Sequence, residues 1–238
     1  MCTITFVPVS KTSNDFILTS NRDEAVGRKT LKPRIYTEEG VKLTYPKDAV
    51  AGGTWIGVSE WKRVVCLMNG GFEKHIRKPF YGKSRGLVVK KLLFEEDLRE
   101  SFEKEVLKST EPFTCIIVEW KTKLELYQLV WDGEKKHFSR LPVENNIWGS
   151  SFLYSAEVRE SRKQAFRQFL KENEATAENI LKFHSSEEDE NAEGIVINRG
   201  NLRTCSITQV IKSTEVSKMT YKDLLQEGKP TFETLIDF

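Results

Sequence analysis

Apolar and polar residues alternate with period two at both ends of a polar turn near the start of the chain, the signature of paired strands. Thr3 to Val9 and Phe16 to Ser20 are rich in β-formers, and the segment Ser10 to Asp15 between them is a turn cluster. This predicts a β-hairpin. A second hairpin follows Gly52-Gly53: TWIGVS, a turn at EWKR, then VVCLMN, closed by Gly70-Gly71. The period then changes. Ser84 is placed to cap a helix over LVVKKLL, with further helix from Glu95 to Lys108. Alternation returns in a meander of Phe113 to Trp120, Lys123 to Trp131 and Lys136 to Leu141. Ala156 to Glu172 is an amphipathic helix with Val158, Ala165, Phe166, Phe169 and Leu170 on its apolar side. A short helix through Ile180 to Phe183, an acidic solvated loop over SSEEDENAE, and strands over Leu202 to Ile211 and Glu215 to Tyr221 complete the pattern.

Strands cluster with strands and helices with helices. That order predicts an α+β fold with mostly antiparallel sheets rather than a doubly wound parallel one. No repeat and no Pro/Gly/Ser-rich linker interrupts it, so residues 1–238 are expected to form one domain.

Composition narrows the function classes. The 238 residues are 39% hydrophobic and 30% charged, with a net charge of +2. This balance gives no reason to expect a nucleic acid or a membrane surface as partner. No apolar run reaches the ~18 residues of a membrane span, and the start MCTITFVPVSK lacks the basic region of a signal peptide. The expected location is the cytoplasm. Cys66, Cys115 and Cys205 sit in apolar or alternating runs and read as small buried hydrophobes; no CxxC pair suggests zinc or redox chemistry. Gly82-Lys83-Ser84 before a helix imitates the end of a phosphate-binding loop, but Arg77 stands where that loop needs its first glycine.

Cys2 is the position with chemical promise. If Met1 is removed, one residue carries a thiol (pKa about 8.5) and a free α-amine (about 7.7–8.0). The amine can accept the thiol proton and later return it to a leaving amine. If the first hairpin turns near Thr12–Ser13, paired residues sum to about 25, and Cys2 lies opposite Asp23. Asp23 then either orients the α-amine or forms an ion pair with Arg22. Asn69 ends an apolar strand beside two glycines; it is either an oxyanion donor or the turn residue of an Asn-Gly bend. Register arithmetic on the second hairpin sets Asn69 roughly opposite Thr54.

MCT at the start, SNRDE at 20–24, GGTWIGVS at 52–59 and LMNGG at 67–71 together resemble the NRDE family, also called transport and Golgi organisation protein 2-like. LRTCSIT at 202–208 resembles its closing strand. The resemblance implies a four-layer αββα sandwich of the N-terminal-nucleophile hydrolase type. The pattern is similar, more distantly, to choloylglycine hydrolases and penicillin V acylases. By that likeness the nucleophile falls at Cys2, an aspartate at Asp23 and an oxyanion asparagine at Asn69. Three features depart. Ser20 stands where those hydrolases have an arginine, Ser150 or Ser151 replaces their second asparagine, and only Arg203 loosely matches their late arginine.

The expected activity is a cysteine amidase acting on a small-molecule amide or related acyl compound. Cys2, Asp23 and Asn69 are the catalytic set, and Arg22, Thr54, Ser150 and Arg203 the substrate contacts. No cofactor or metal is called for, and no oligomeric state is indicated. The alternative is a non-enzymatic haem or lipid carrier on the same fold, for which His75, His137 and His184 are the only imidazoles.

Overall fold

The computed structural model describes residues 3–10, 12–187 and 194–238. Among them fourteen strands form two seven-stranded sheets. Sheet A has the order β10 (Asn146–Gly149), β1 (Thr3–Pro8), β2 (Phe16–Ala25), β12 (Leu202–Lys212), β13 (Ser217–Asp223) and β14 (Thr231–Leu235), with β11 (Asn198–Arg199) also paired to β12. Sheet B runs in chain order: β3 (Thr30–Glu38), β4 (Val41–Asp48), β5 (Ile56–Ser59), β6 (Arg63–Asn69), β7 (Phe113–Glu119), β8 (Glu125–Trp131) and β9 (Lys136–Leu141). Every strand pairing is antiparallel. Helices α1 (Arg85–Phe94) and α2 (Leu98–Lys104) cover sheet B, and α3 (Ala156–Glu172) and α4 (Ala177–His184) cover sheet A. The result is the expected αββα sandwich.

Period two explains the layering. Ile4, Phe6, Phe16 and Leu18 point inward and join the core between the sheets, which includes Val64, Cys66, Ile116 and Val118. Val7 and Ile17 point the other way, into an outer cluster with Phe166, Ile180 and Phe183. Among the described residues no helix is long and apolar enough to cross a membrane.

Helix α3 spans the predicted residues, and Ser84 caps α1 by accepting from the Gly86 amide at 3.3 Å. The helix expected from Glu95 to Lys108 is shorter. Asp97 starts α2 afresh by accepting from the Glu100 amide at 2.8 Å. The end of α1 is held by Arg63 on β6, whose guanidinium donates to the carbonyls of Leu92, Glu95 and Glu96 at 2.6–2.7 Å. Both hairpin registers differ from expectation by one residue. Thr3 pairs with Asn21, a sum of 24 rather than 25. Ile56 pairs with Cys66, and Asn69 lies opposite Phe113 on β7 rather than Thr54. The acidic loop falls largely outside the described residues.

Candidate functional site

The NRDE tetrapeptide is strand, not turn. It extends β2 to Ala25, and alternation sends its members to opposite faces. Asn21 and Asp23 face the α3/α4 layer; Ser20 and Arg22 face sheet B. Asp23 is 2% exposed. One carboxylate oxygen accepts from the Tyr154 hydroxyl at 2.7 Å, the other from the Thr204 hydroxyl at 2.6 Å. Arg162 lies over the Tyr154 ring at 3.9 Å and donates to the Thr3 hydroxyl at 2.6 Å.

Arg22 pairs with neither Asp23 nor Glu24, which removes the local ion pair as one of the alternatives for it. Its partner is Asp48, 3.2 Å away at the end of β4, and its guanidinium stacks on Trp55 at 4.6 Å. Consecutive strand residues cannot face one another, so the partner comes from the opposing sheet. Arg28 shares the same Asp48 oxygen at 2.7 Å, and Glu24 pairs instead with Arg28. Burial works to raise the Asp48 pKa, but the amides of Ala51 and Val50 and the Arg28 charge outweigh it and hold it below the ordinary value.

Arg22, Arg28, Thr54, Trp55, Asn69 and Arg85 line one cleft of about 80 Å³ at the end of the sandwich. Asn69 is held from behind: its carbonyl accepts from the Ser150 hydroxyl at 2.6 Å. Gly70 then turns the chain at φ +91, where a Cβ would stand 2.4 Å from the Ser151 hydroxyl oxygen. Gly53 has a different reason. A Cβ there would meet the Gly86 backbone at 2.5 Å, so the glycine lets the start of α1 close on the cleft.

The other expected contacts sit differently. The Thr54 hydroxyl is committed to the carbonyls of Pro46 and Ile56 at 2.7 and 2.8 Å, so it shapes the wall rather than meeting a substrate. Ser150 is 1% exposed and acts through Asn69. Arg203 is exposed, bound to the Gly200 carbonyl at 3.1 Å, and outside the cleft. The residues that sequence reasoning missed are Arg28, Asp48 and Arg85 in the cleft, and Tyr154, Thr204 and Arg162 around Asp23. Each joins the site through the fold rather than through a local motif.

Cys66, Cys115 and Cys205 are buried, as expected. Burial pushes the Cys66 thiol up to about 12 and raises the other two, which keeps them protonated near neutrality. Cys2 lies outside the described residues. The imidazoles are dispersed. His75 contacts Glu111, His137 contacts Asp132, and His184 is fully buried between Thr5 and Asn21. Among the described residues no group of His, Cys, Asp and Glu is arranged to hold a metal ion.

Two antiparallel sheets packed face to face between helical layers, with the N-terminal strand inside one sheet, define the N-terminal-nucleophile hydrolase fold. Solved structures agree. The Caenorhabditis elegans N-acylethanolamine-hydrolyzing acid amidase ortholog matches with a TM-score of 0.58 and 13% identity over 88% of this chain and 92% of its own. A variant of the conjugated bile acid hydrolase from Clostridium perfringens matches at 0.52 and 9% identity, covering 98% and 92%. Penicillin V acylase from Agrobacterium tumefaciens matches at 0.51 and 9%, covering 98% and 85%. No curated protein matches the chain in sequence. The family model for Transport and Golgi organisation 2 matches residues 1–222, and the chain belongs to that family.

Proposed function

We propose that this protein is a cysteine N-terminal-nucleophile hydrolase that cleaves an amide or related acyl bond of a small molecule. The observation that carries the reading is the buried Asp23 carboxylate at the end of β2 next to the chain start. Thr3 pairs with Asn21, two residues before Asp23, and Cys2 is one Cα step of about 3.8 Å from Thr3. A buried carboxylate is costly without positive charge or donors. Tyr154 and Thr204 supply two donors, and a protonated α-amine on Cys2 would suit it as a further partner.

In this reading Met1 is removed first. The α-amine takes the thiol proton, and the Cys2 sulfur forms a bond to the substrate carbonyl carbon. The carbonyl oxygen takes the negative charge, and the Asn69 side-chain amide donates to it. Collapse breaks the carbon–nitrogen bond, and the leaving amine takes the proton from the α-ammonium. Water then attacks the thioester, releases the acid and restores the thiol. Arg22 and Arg28 are matched by Asp48 and Glu24 in the same cleft, and Arg85 by Glu111 at 3.1 Å, so the wall is polar and charge-balanced and suits a polar substrate group.

The test uses protein lacking Met1. A limiting acylating probe at neutral pH should modify Cys2 ahead of the three buried thiols. Amide turnover should vanish in Cys2→Ala and fall by roughly 10²–10³ in Asn69→Ala. Turnover that survives Cys2→Ala intact, or equal labelling of all four cysteines, sinks the reading.

A further inference from the structure

A second cavity, of about 320 Å³, lies on the other side of the N-terminal strand. Strand β1 separates the two spaces: Thr3 pairs with Asn21 on the β2 side and with Gly149 on the β10 side, and Gly149 lines this cavity. Its volume is near the lower end of the roughly 300–1,000 Å³ that encloses small-molecule ligands. Met68 from sheet B, Ile147 and Trp148 from β10, and Phe72 from the loop after β6 supply an apolar wall. Phe72 is 51% exposed, the mark of an aromatic without enough protein to cover it.

The charged side comes from α3. Arg159, Glu160 and Lys163 all line the cavity. Glu160 is already matched by Lys163 at 3.4 Å and Arg167 at 4.0 Å. Arg159 differs. Its Nε is buried and has no hydrogen-bond partner, and among the described residues no acidic side chain lies within ion-pairing distance. Arg162 on the same helix also leaves its Nε unpaired but spends its terminal nitrogens on Thr3 and Gly194; Arg159, which lines the cavity, has no such partners among the described residues. Its planar donor fork matches a carboxylate better than it matches a neutral group.

We infer that this cavity is a binding site for an amphipathic carboxylate, its apolar body against Trp148, Met68 and Phe72 and its carboxylate on Arg159. The site does not depend on turnover at Cys2, so it is tested in the full-length Cys2→Ala protein. Decanoate is titrated by calorimetry, with decanol, decyl sulfate and decyl phosphate alongside. Saturable decanoate binding, weaker binding of the other three, and a loss of roughly tenfold or more in Arg159→Gln are expected. Arg159→Lys should recover part of the loss. A diazirine-bearing decanoate should crosslink to the peptides carrying Phe72 or Trp148, a readout in the Cys2→Ala protein that does not depend on whether an Arg159 variant folds. Absence of saturable binding, crosslinking elsewhere, or unchanged affinity in a folded Arg159→Gln protein would overturn the assignment. Decanol equal to decanoate would remove the charge argument, and tighter binding of the sulfate or phosphate would overturn the carboxylate.

Discussion

The two helix-on-sheet layers of this sandwich are built on different principles. Where α1 meets sheet B the body of the contact is apolar, made by Val88, Val89, Leu92 and Leu93, and the polar ties gather at the helix end: Ser59 donates to the Leu93 carbonyl at 2.7 Å, the Trp61 indole to the Phe94 carbonyl at 2.8 Å, and buried Arg63 links that end to β6 and to Glu119 at 2.6 Å. Where α3 and α4 meet sheet A, polar contacts run alongside the apolar cluster. Arg162 holds Thr3, Gln209 holds Thr19, and His184 sits between Thr5 and Asn21. The polar layer lies behind the strands that begin the chain and carry Asp23. Apolar packing tolerates small slips, whereas a hydrogen-bonded network specifies one arrangement. The layer nearest the proposed chemistry is the one that fixes position.

Changes in the first layer should therefore cost stability alone, and changes in the second should cost activity as well. The largest effect is expected for Arg63→Leu. It strands Glu119 and three helix-end carbonyls, and removing one partner of a buried pair costs about 3–5 kcal/mol. Denaturant melts should show that loss, while the surviving folded fraction should keep its full kcat. A kcat that falls with the melt would erase the contrast.

Arg162→Leu should cost about 1.5–3 kcal/mol, since it leaves the Thr3 hydroxyl and the Gly194 carbonyl unpaired. Here kcat on an amide substrate should fall too, because Thr3 adjoins Cys2. Unchanged kcat would show that this network is structural only.

The third test is pH. Asn21 Nδ2 donates to the His184 carbonyl, which leaves its Oδ1 to accept from His184 Nδ1; Nε2 then accepts from Thr5 at 2.7 Å. This is the neutral imidazole. Burial first, and then the Arg162 charge, lower its pKa to about 3 from 6.5. Between those values the unfolded chain binds a proton that the folded one refuses. Stability should fall as pH drops through that window, by up to about 1.4 kcal/mol per pH unit. His184→Gln should flatten the slope between pH 6.5 and 4, and an identical slope in both proteins would discard this origin. Tyr154→Phe is the smallest expected effect, about 1 kcal/mol, because Asp23 keeps Thr204. Its value lies in kcat, which should drop if Asp23 orients the α-amine and stay level if it does not.

Much of the sandwich was legible because its elements are locally consistent. Helix α3 has a serine cap and an apolar stripe, and the β7–β9 meander alternates cleanly. The missed strands lack that clarity. β3 is a charged edge strand with Pro33 at a register shift, β10 has four residues, and β14 alternates among largely exposed positions. Both register errors were of one residue, because turn geometry sets register and a string of letters does not display it. Asn69, Arg22 and the paired glycines stood out as motifs. The Arg22–Asp48 pair did not, since its members are 26 residues apart and meet only when one sheet closes on the other.

Strand β12 pairs with β2 in one frame up to Ser206 opposite Arg22, and in another from Thr204 opposite Asp23, with Cys205 as the extra residue between them. Continued in the first frame, Asp23 would have faced the Cys205 thiol instead of the Thr204 hydroxyl. The bulge thus works as a vernier, shifting one end of the strand by a single notch while the other keeps its scale. A chain with residue 205 deleted would keep every pairing on both sides, Thr204 opposite Asp23 included, and lose only the local bend that the extra residue puts into β12 beside the carboxylate.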